Sequence, residues 1–282
     1  MAEKKSIMDI LANIPEQYVY LFLAIIIIAP LLRPIGLPIP ITTETNLFYK
    51  AVDELQPGDT VFYAFDAGSM TWMEQGLGAT IVLRHILMKP GVRIVGATIG
   101  AEGPMFWDTT IAKLGGYSSF GKEYGKDVVW LGFFSGGETA TSALGRDIRS
   151  ATNGVDAYGA TFETLQLMSE VNQATDFKIL VVLSYGGTWS TWMNQWQMPY
   201  GIKEYVIPLA GVVADMRPNI RAGQIQSIIN GARGAAEYEL LLHQPGRAAA
   251  GMDAQSLGHI YVGILIIVGN LAYLTTRGGK KK

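Results

Sequence analysis

Read for chemistry, the sequence offers carboxylates first. Asp66, Glu74, Glu102, Asp108 and Glu138 fall on or just after short glycine-containing stretches that follow apolar runs. Carboxylates gathered in this way could hold a hard cation such as Ca²⁺ or Mg²⁺, or divide the roles of acid and base. Near a helix start they also serve as ordinary partners of the helix dipole. Ser69, Ser135 and Ser184 lie in the same stretches, "DAGS", "SGGE" and "SYGG". A nucleophilic serine needs a base, and histidine is scarce: His85, His243 and His259 all lie away from these loops. A Ser-His-Asp arrangement therefore has no evident base. The chain has no cysteine, which removes disulfides, thiolate chemistry and the usual zinc clusters. No Gly-x-Gly-x-x-Gly, P-loop or Gly-x-Ser-x-Gly pattern occurs. No cofactor is evident, no metal ligand set is assigned, and a hard divalent cation is the only metal class the residues suggest.

The elements that must position these groups follow a repeating grammar. "DTVFYAF", "VRIVGATI", "DVVWLGFF", "FKILVVL" and "EYVIPLAGVVA" are near-continuous apolar runs, and each but the last gives way to a glycine-containing loop and a helical pattern. Strands this apolar belong to a parallel sheet covered on both faces. The expected fold is α/β: one doubly wound, mainly parallel five-stranded sheet, closed by a long helix from Ile220 to about His243. In such a sheet, ligands collect at the carboxyl ends of the strands. The candidate ligand-binding residues are therefore Asp66, Ser69, Glu102, Ser135, Gly136, Gly137, Glu138, Ser184, Gly186 and Gly187. Glycine is also the residue that tight strand-to-helix turns require in any case.

Two further features point to contacts with another chain. Trp72, Trp107, Trp189 and Trp192 gather near that same edge, where tryptophan is a common interface anchor, although such a stripe also suits a core. In "INGARGAAEYELLLHQPGRAAAGMDAQSLGH", Gly231 and Gly234 smooth one helix face, and Arg233 can pair with Glu237 four residues on. Gly263 and Asn270 supply a small residue and a polar group inside an apolar helix, a combination that favours helix association.

The two ends frame the rest. Half of the composition is apolar, 16% is charged and the formal net charge is −2, so no basic footprint for nucleic acid is present. Residues 15–33 and 257–276 are expected to be transmembrane helices. Residues 1–14 form an N-terminal tail, 34–59 a neck with a short helix, 60–245 the α/β domain, 246–256 a second neck and 277–282 a basic tail. Lysines at both ends place both termini in the cytoplasm and the central domain outside, by the positive-inside rule. Both necks should join the amino edge of the sheet, with Arg33 and Asp253 as neighbours and the glycine-rich edge turned away from the bilayer.

"YGKDVVWLGFFSGGE", "GARGAAEYELLL" and "GMDAQSLGH" followed by an apolar helix resemble an uncharacterised family of prokaryotic two-span membrane proteins. The resemblance covers the last two-thirds of the chain and implies the two-span plan, with no activity and no catalytic residue attached. The expected function is that of a membrane-anchored, self-associating binding or scaffold protein without a catalytic motif. Its partners are then the lipid bilayer and further copies of itself, and any small-molecule ligand is unknown. The alternative is a membrane-bound hydrolase using strand-end carboxylates or serines.

Overall fold

The structure, a computed structural model, describes residues 14–278. It divides into two compact units, residues 39–244 and, separately, residues 14–38 with 245–278.

In the larger unit, runs such as "TVFYAFD" are too apolar to leave either face wet, so each becomes a strand with helices on both sides. After helix α2 (Thr43–Asp53), the chain alternates β1 (Thr60–Asp66), α3 (Trp72–Met88), β2 (Arg93–Thr98), α4 (Gly103–Lys113), β3 (Val128–Phe133) and α5 (Glu138–Arg146). It continues through α6 (Ile148–Ala151) and three 3₁₀ turns to β4 (Ile179–Ser184) and α7 (Thr188–Trp192). A π segment (Met193–Gln197) and α8 (Met198–Tyr200) extend α7; β5 (Lys203–Pro208), α9 (Val213–Arg221), β6 (Ile225–Ile228) and α10 (Gly231–Leu241) follow. The sheet has the order β3-β2-β1-β4-β5-β6, with every described pairing parallel. Chain order reverses between β1 and β4, where Asp66 and Ser184 are direct neighbours.

Six strands, not five, make this sheet. The expected helix from Ile220 to His243 is α9, β6 and α10. Gly223, with φ of 73°, takes the left-handed conformation that ends α9. Ile225 and Ile228 then pair with Glu204 and Val206 of β5. The chain also enters this unit differently from expectation. The Ser227 hydroxyl of β6 donates to the Glu44 carbonyl, and the Thr42 amide donates to Glu237 of α10 at 2.9 Å. The start of α2 thus lies beside β6 and α10, not at the amino end of β1.

The period of two along each strand sorts the core. Phe62, Val95, Val129, Leu180 and Val206 pack with Leu144, Trp192, Trp196 and Met216 on one face. On the other, Tyr63 and Phe65 meet Trp107, and Phe48 packs edge-on against both Tyr205 and Tyr238. Trp107 stacks on Trp130 with ring centres 4.4 Å apart. Gly96 makes this possible, because a Cβ there would lie 2.7 Å from the Trp130 ring.

In the smaller unit, α1 (Glu16–Leu32) runs antiparallel to α11 (Arg247–Gly278). The stretch 246–256, read as a neck, is already helical from Arg247. The Tyr261 hydroxyl donates to the Val19 carbonyl at 3.0 Å, and Tyr261 and Phe22 lie ring to ring at 5.6 Å. Asp253 meets the chain just after α1, but not through Arg33. Its carboxylate accepts the amides of Ile35, Gly36 and Leu37 at 2.8, 2.8 and 2.9 Å. Three successive N–H groups converge on one anion because Gly36 adopts φ of 70°. Helix α11 is long and apolar enough to cross a membrane; α1, at 17 residues, is apolar but shorter. The tail lysines Lys4, Lys5, Lys280, Lys281 and Lys282 lie outside the described residues.

Candidate functional site

The reversal point between β1 and β4 is where a doubly wound sheet opens a crevice for ligands, and Asp66 and Ser184 stand on its two sides. Asp66 ends β1 with a fully buried side chain. Its Oδ1 accepts from the Thr98 hydroxyl at 3.0 Å and the Ile99 amide at 2.8 Å, and its Oδ2 accepts from the Trp192 indole at 2.7 Å. Burial pushes its carboxyl up to about 6, against the pull of the Trp192, Ile99, Thr98 and Thr188 donors. The sign follows from linkage: an unfolded aspartate ionises at lower pH, so this carboxyl costs stability as pH rises from 3.8 to about 6.

Ser184 is equally committed. Its Oγ accepts the Trp189 amide at 2.9 Å and lies 3.0 Å from the Thr188 hydroxyl, and its carbonyl accepts the Gln75 side-chain amide. The Ser69 amide donates to Glu102, which ties the β1–α3 loop to the β2–α4 loop. Tyr185 leans across both loops: a Cβ on Gly68 would lie 3.5 Å from its side chain, and one on Gly100 would lie 2.9 Å from its ring.

The structure therefore brings Asp66, Ser184, Ser69 and Glu102 to one region, with Gly186 and Gly187 exposed beside it. Ser135, Gly136, Gly137 and Glu138 do not join them. Ser135, Gly136 and Gly137 form the exposed loop after β3, two strands from β1, and Glu138 opens α5. The other carboxylates also have structural uses. Glu74 accepts the Ala210 amide at 2.8 Å, and Asp108 accepts the Tyr158 hydroxyl at 3.0 Å. Among the described residues, no three acidic or histidine side chains come together as a metal site would need. His85 serves the core: its Nδ1 lies 2.9 Å from the Tyr238 hydroxyl, and burial lowers its pKa to about 4.

The proposed interface residues mostly face inward. Trp107 and Trp192 are fully buried, Trp189 nearly so, and only Trp72 is half-buried, stacked on Phe106 at 4.3 Å. A tryptophan whose ring and N–H are both satisfied within its own chain has little left to offer a partner. Gly231 and Gly234 are buried too. Gly231, with φ of 56°, has the Glu74 carboxylate where a side chain would point, and Gly234 backs onto Ile229. Their smooth face lets α10 approach its own domain. Arg233 does pair with Glu237, at 3.0 Å, and the other Glu237 oxygen caps α2 by accepting the Thr42 hydroxyl at 2.6 Å. On α11, Gly263 has open space where a side chain would stand, and the exposed Asn270 amide donates back to the Ile266 carbonyl at 2.8 Å.

Sequence reasoning missed Thr98, Gln75, Thr188 and Tyr185. Thr98 ends a strand and the other three sit in ordinary helix or loop settings, and only the closed fold gives them partners. Comparison of the chain with protein-family models, curated proteins and solved structures returns no match.

Proposed function

We propose that this chain is a membrane-anchored, self-associating binding or scaffold protein that presents an α/β domain and performs no catalysis of its own. The observation that carries the reading is the outer surface of the two-helix unit. Leu21, Ile25 and Ile28 of α1 and Ile264, Ile266, Ile267 and Leu274 of α11 are all exposed there. A contiguous aliphatic surface of this kind suits lipid and not water. In this reading α11 crosses the bilayer, α1 lies against it as the second span, and both termini are cytoplasmic. The absence of catalysis is argued from the reversal point, where the Asp66 oxygens and the Ser184 hydroxyl are occupied in joining β1, β2, β4 and α7. Self-association rests on the open face of α11 at Gly263, which another helix could approach closely.

One experiment examines anchor and assembly together. Membranes carrying the full chain are washed with alkaline carbonate, extracted in detergent and sized, in parallel with Gly263→Leu. The chain should stay with the lipid pellet, and the variant should give a smaller particle. Release into the wash removes the anchor from this reading, and a wild-type monomer or an unchanged variant particle removes self-association.

A further inference from the structure

We propose that the amino edge of the sheet, opposite the reversal point, holds a binding site for a small planar aromatic molecule carrying one anionic group. A cavity of about 580 Å³ lies beneath the starts of β4 and β5, within the range of ~300–1,000 Å³ typical of small-molecule sites. Its inner wall is apolar and aromatic, with Phe177, Ile179, Ile202 and Tyr205 each retaining only 4–8% exposure. Tyr200 lines it from the end of α8, and Glu54 from the residue after α2.

Two observations give the cavity a chemistry. Tyr205 is more than nine-tenths buried, and its hydroxyl has no hydrogen-bond partner among the described residues. Its hydroxyl oxygen is not sealed in the core and can meet a group bound in the cavity. The rim is cationic on one side. Lys178 directly precedes β4 and Lys203 opens β5, where Ile179 and Lys203 are direct neighbours. Both lysines are exposed, and neither forms an ion pair among the described residues. Glu54 also lines the opening and is its only acid among the described residues. An anionic group is therefore drawn to the lysine side and away from Glu54, whose charge also acts on Tyr205, and the attached ring can lie against the apolar wall. The site is independent of the anchor: it uses only residues of the α/β unit.

The test uses 1-naphthyl phosphate as the probe, titrated by calorimetry into the full chain in uncharged lipid nanodiscs, with empty nanodiscs as the blank. Saturable uptake below about 1 mM is expected for a ligand of this size. Lys203→Glu lies at an exposed position and should weaken it at least ~10-fold, since it removes a contact to the anion, and Tyr205→Phe should weaken it less, since it removes only a donor on the wall. Thr175→Trp, exposed on the rim, should abolish uptake by filling the opening, and uncharged 1-naphthalenemethanol should bind at least ~10-fold more weakly than the phosphate. No saturable uptake by the wild type, or uptake unchanged in both Lys203→Glu and Thr175→Trp, overturns the proposal.

Discussion

Replacing Asp253 with alanine should cost the two-helix unit about 3–5 kcal/mol, the penalty for removing a buried charged acceptor from its donors. The side chain is 2% exposed and receives three successive amides, those of Ile35, Gly36 and Leu37. With the carboxylate gone, those N–H groups lose their acceptor in a setting that offers little water. Hydrogen exchange of the 34–38 segment reads this directly: its protection should fall by at least ~100-fold in Asp253→Ala, corresponding to at least about 2.7 kcal/mol of local opening. Asp253→Asn keeps one acceptor oxygen and should fall between the two. Equal protection in wild type and Asp253→Ala would show that the carboxylate does not hold the turn after α1.

The opposite sign is expected at Glu204. This residue lies in β5 between Leu180 and Ile225, is fully buried, and neither carboxyl oxygen has a partner among the described residues. Burial pushes its carboxyl well above the usual range, so the folded chain keeps it protonated where the unfolded chain would ionise. The folded state then binds the extra proton, and stability falls as pH rises from about 4.5 towards the folded pKa. Glu204→Leu removes the polar group and fills the space with hydrocarbon. It should raise stability by about 2–4 kcal/mol at pH 7.5, with a smaller gain at pH 4.5. Glu204→Gln should remove the pH-dependent part alone. Denaturant melts of the three proteins at both pH values measure it, and a destabilised Glu204→Leu or a gain that does not grow with pH would contradict the account.

These two residues mark where the sequence stops being legible. Strands β1 to β5 could be read because each is a long apolar run bounded by turn residues. β6 could not, because "IQSI" is four residues long with two polar residues at its centre and sits at the sheet edge, where Ser227 reaches the Glu44 carbonyl. The Arg233–Glu237 pair was visible because it is local. Its extension to Thr42, 195 residues away, was not. The sequence suggests Arg33 as the neighbour of Asp253, but a carboxylate in sequence carries no sign of whether a side chain or three amides will meet it. In sequence the tryptophan stripe suits an interface and a core equally, and the fold turns it inward. Trp192 and Trp196 approach Phe62 to 5.5 and 4.2 Å inside the core, carried there by the helix that β4 feeds. At the carboxyl edge Asp66, Ser184, Ser69 and Glu102 find partners within the fold, which spacing alone cannot reveal. Glu204 gave no signal, since a glutamate at the start of an apolar strand looks like any solvated one.

The account's central claim, an α/β domain held outside a membrane by helices whose ends lie within, is tested most directly by labelling. Single cysteines are placed at Ser119, exposed on the α/β unit, and at Ser6, outside the described residues, in a chain that has no cysteine of its own. A membrane-impermeant maleimide is then applied to intact cells. The account predicts labelling of Ser119→Cys in intact cells and of Ser6→Cys only after permeabilisation. Labelling of Ser119→Cys only after permeabilisation, or of both positions from one side, would contradict it.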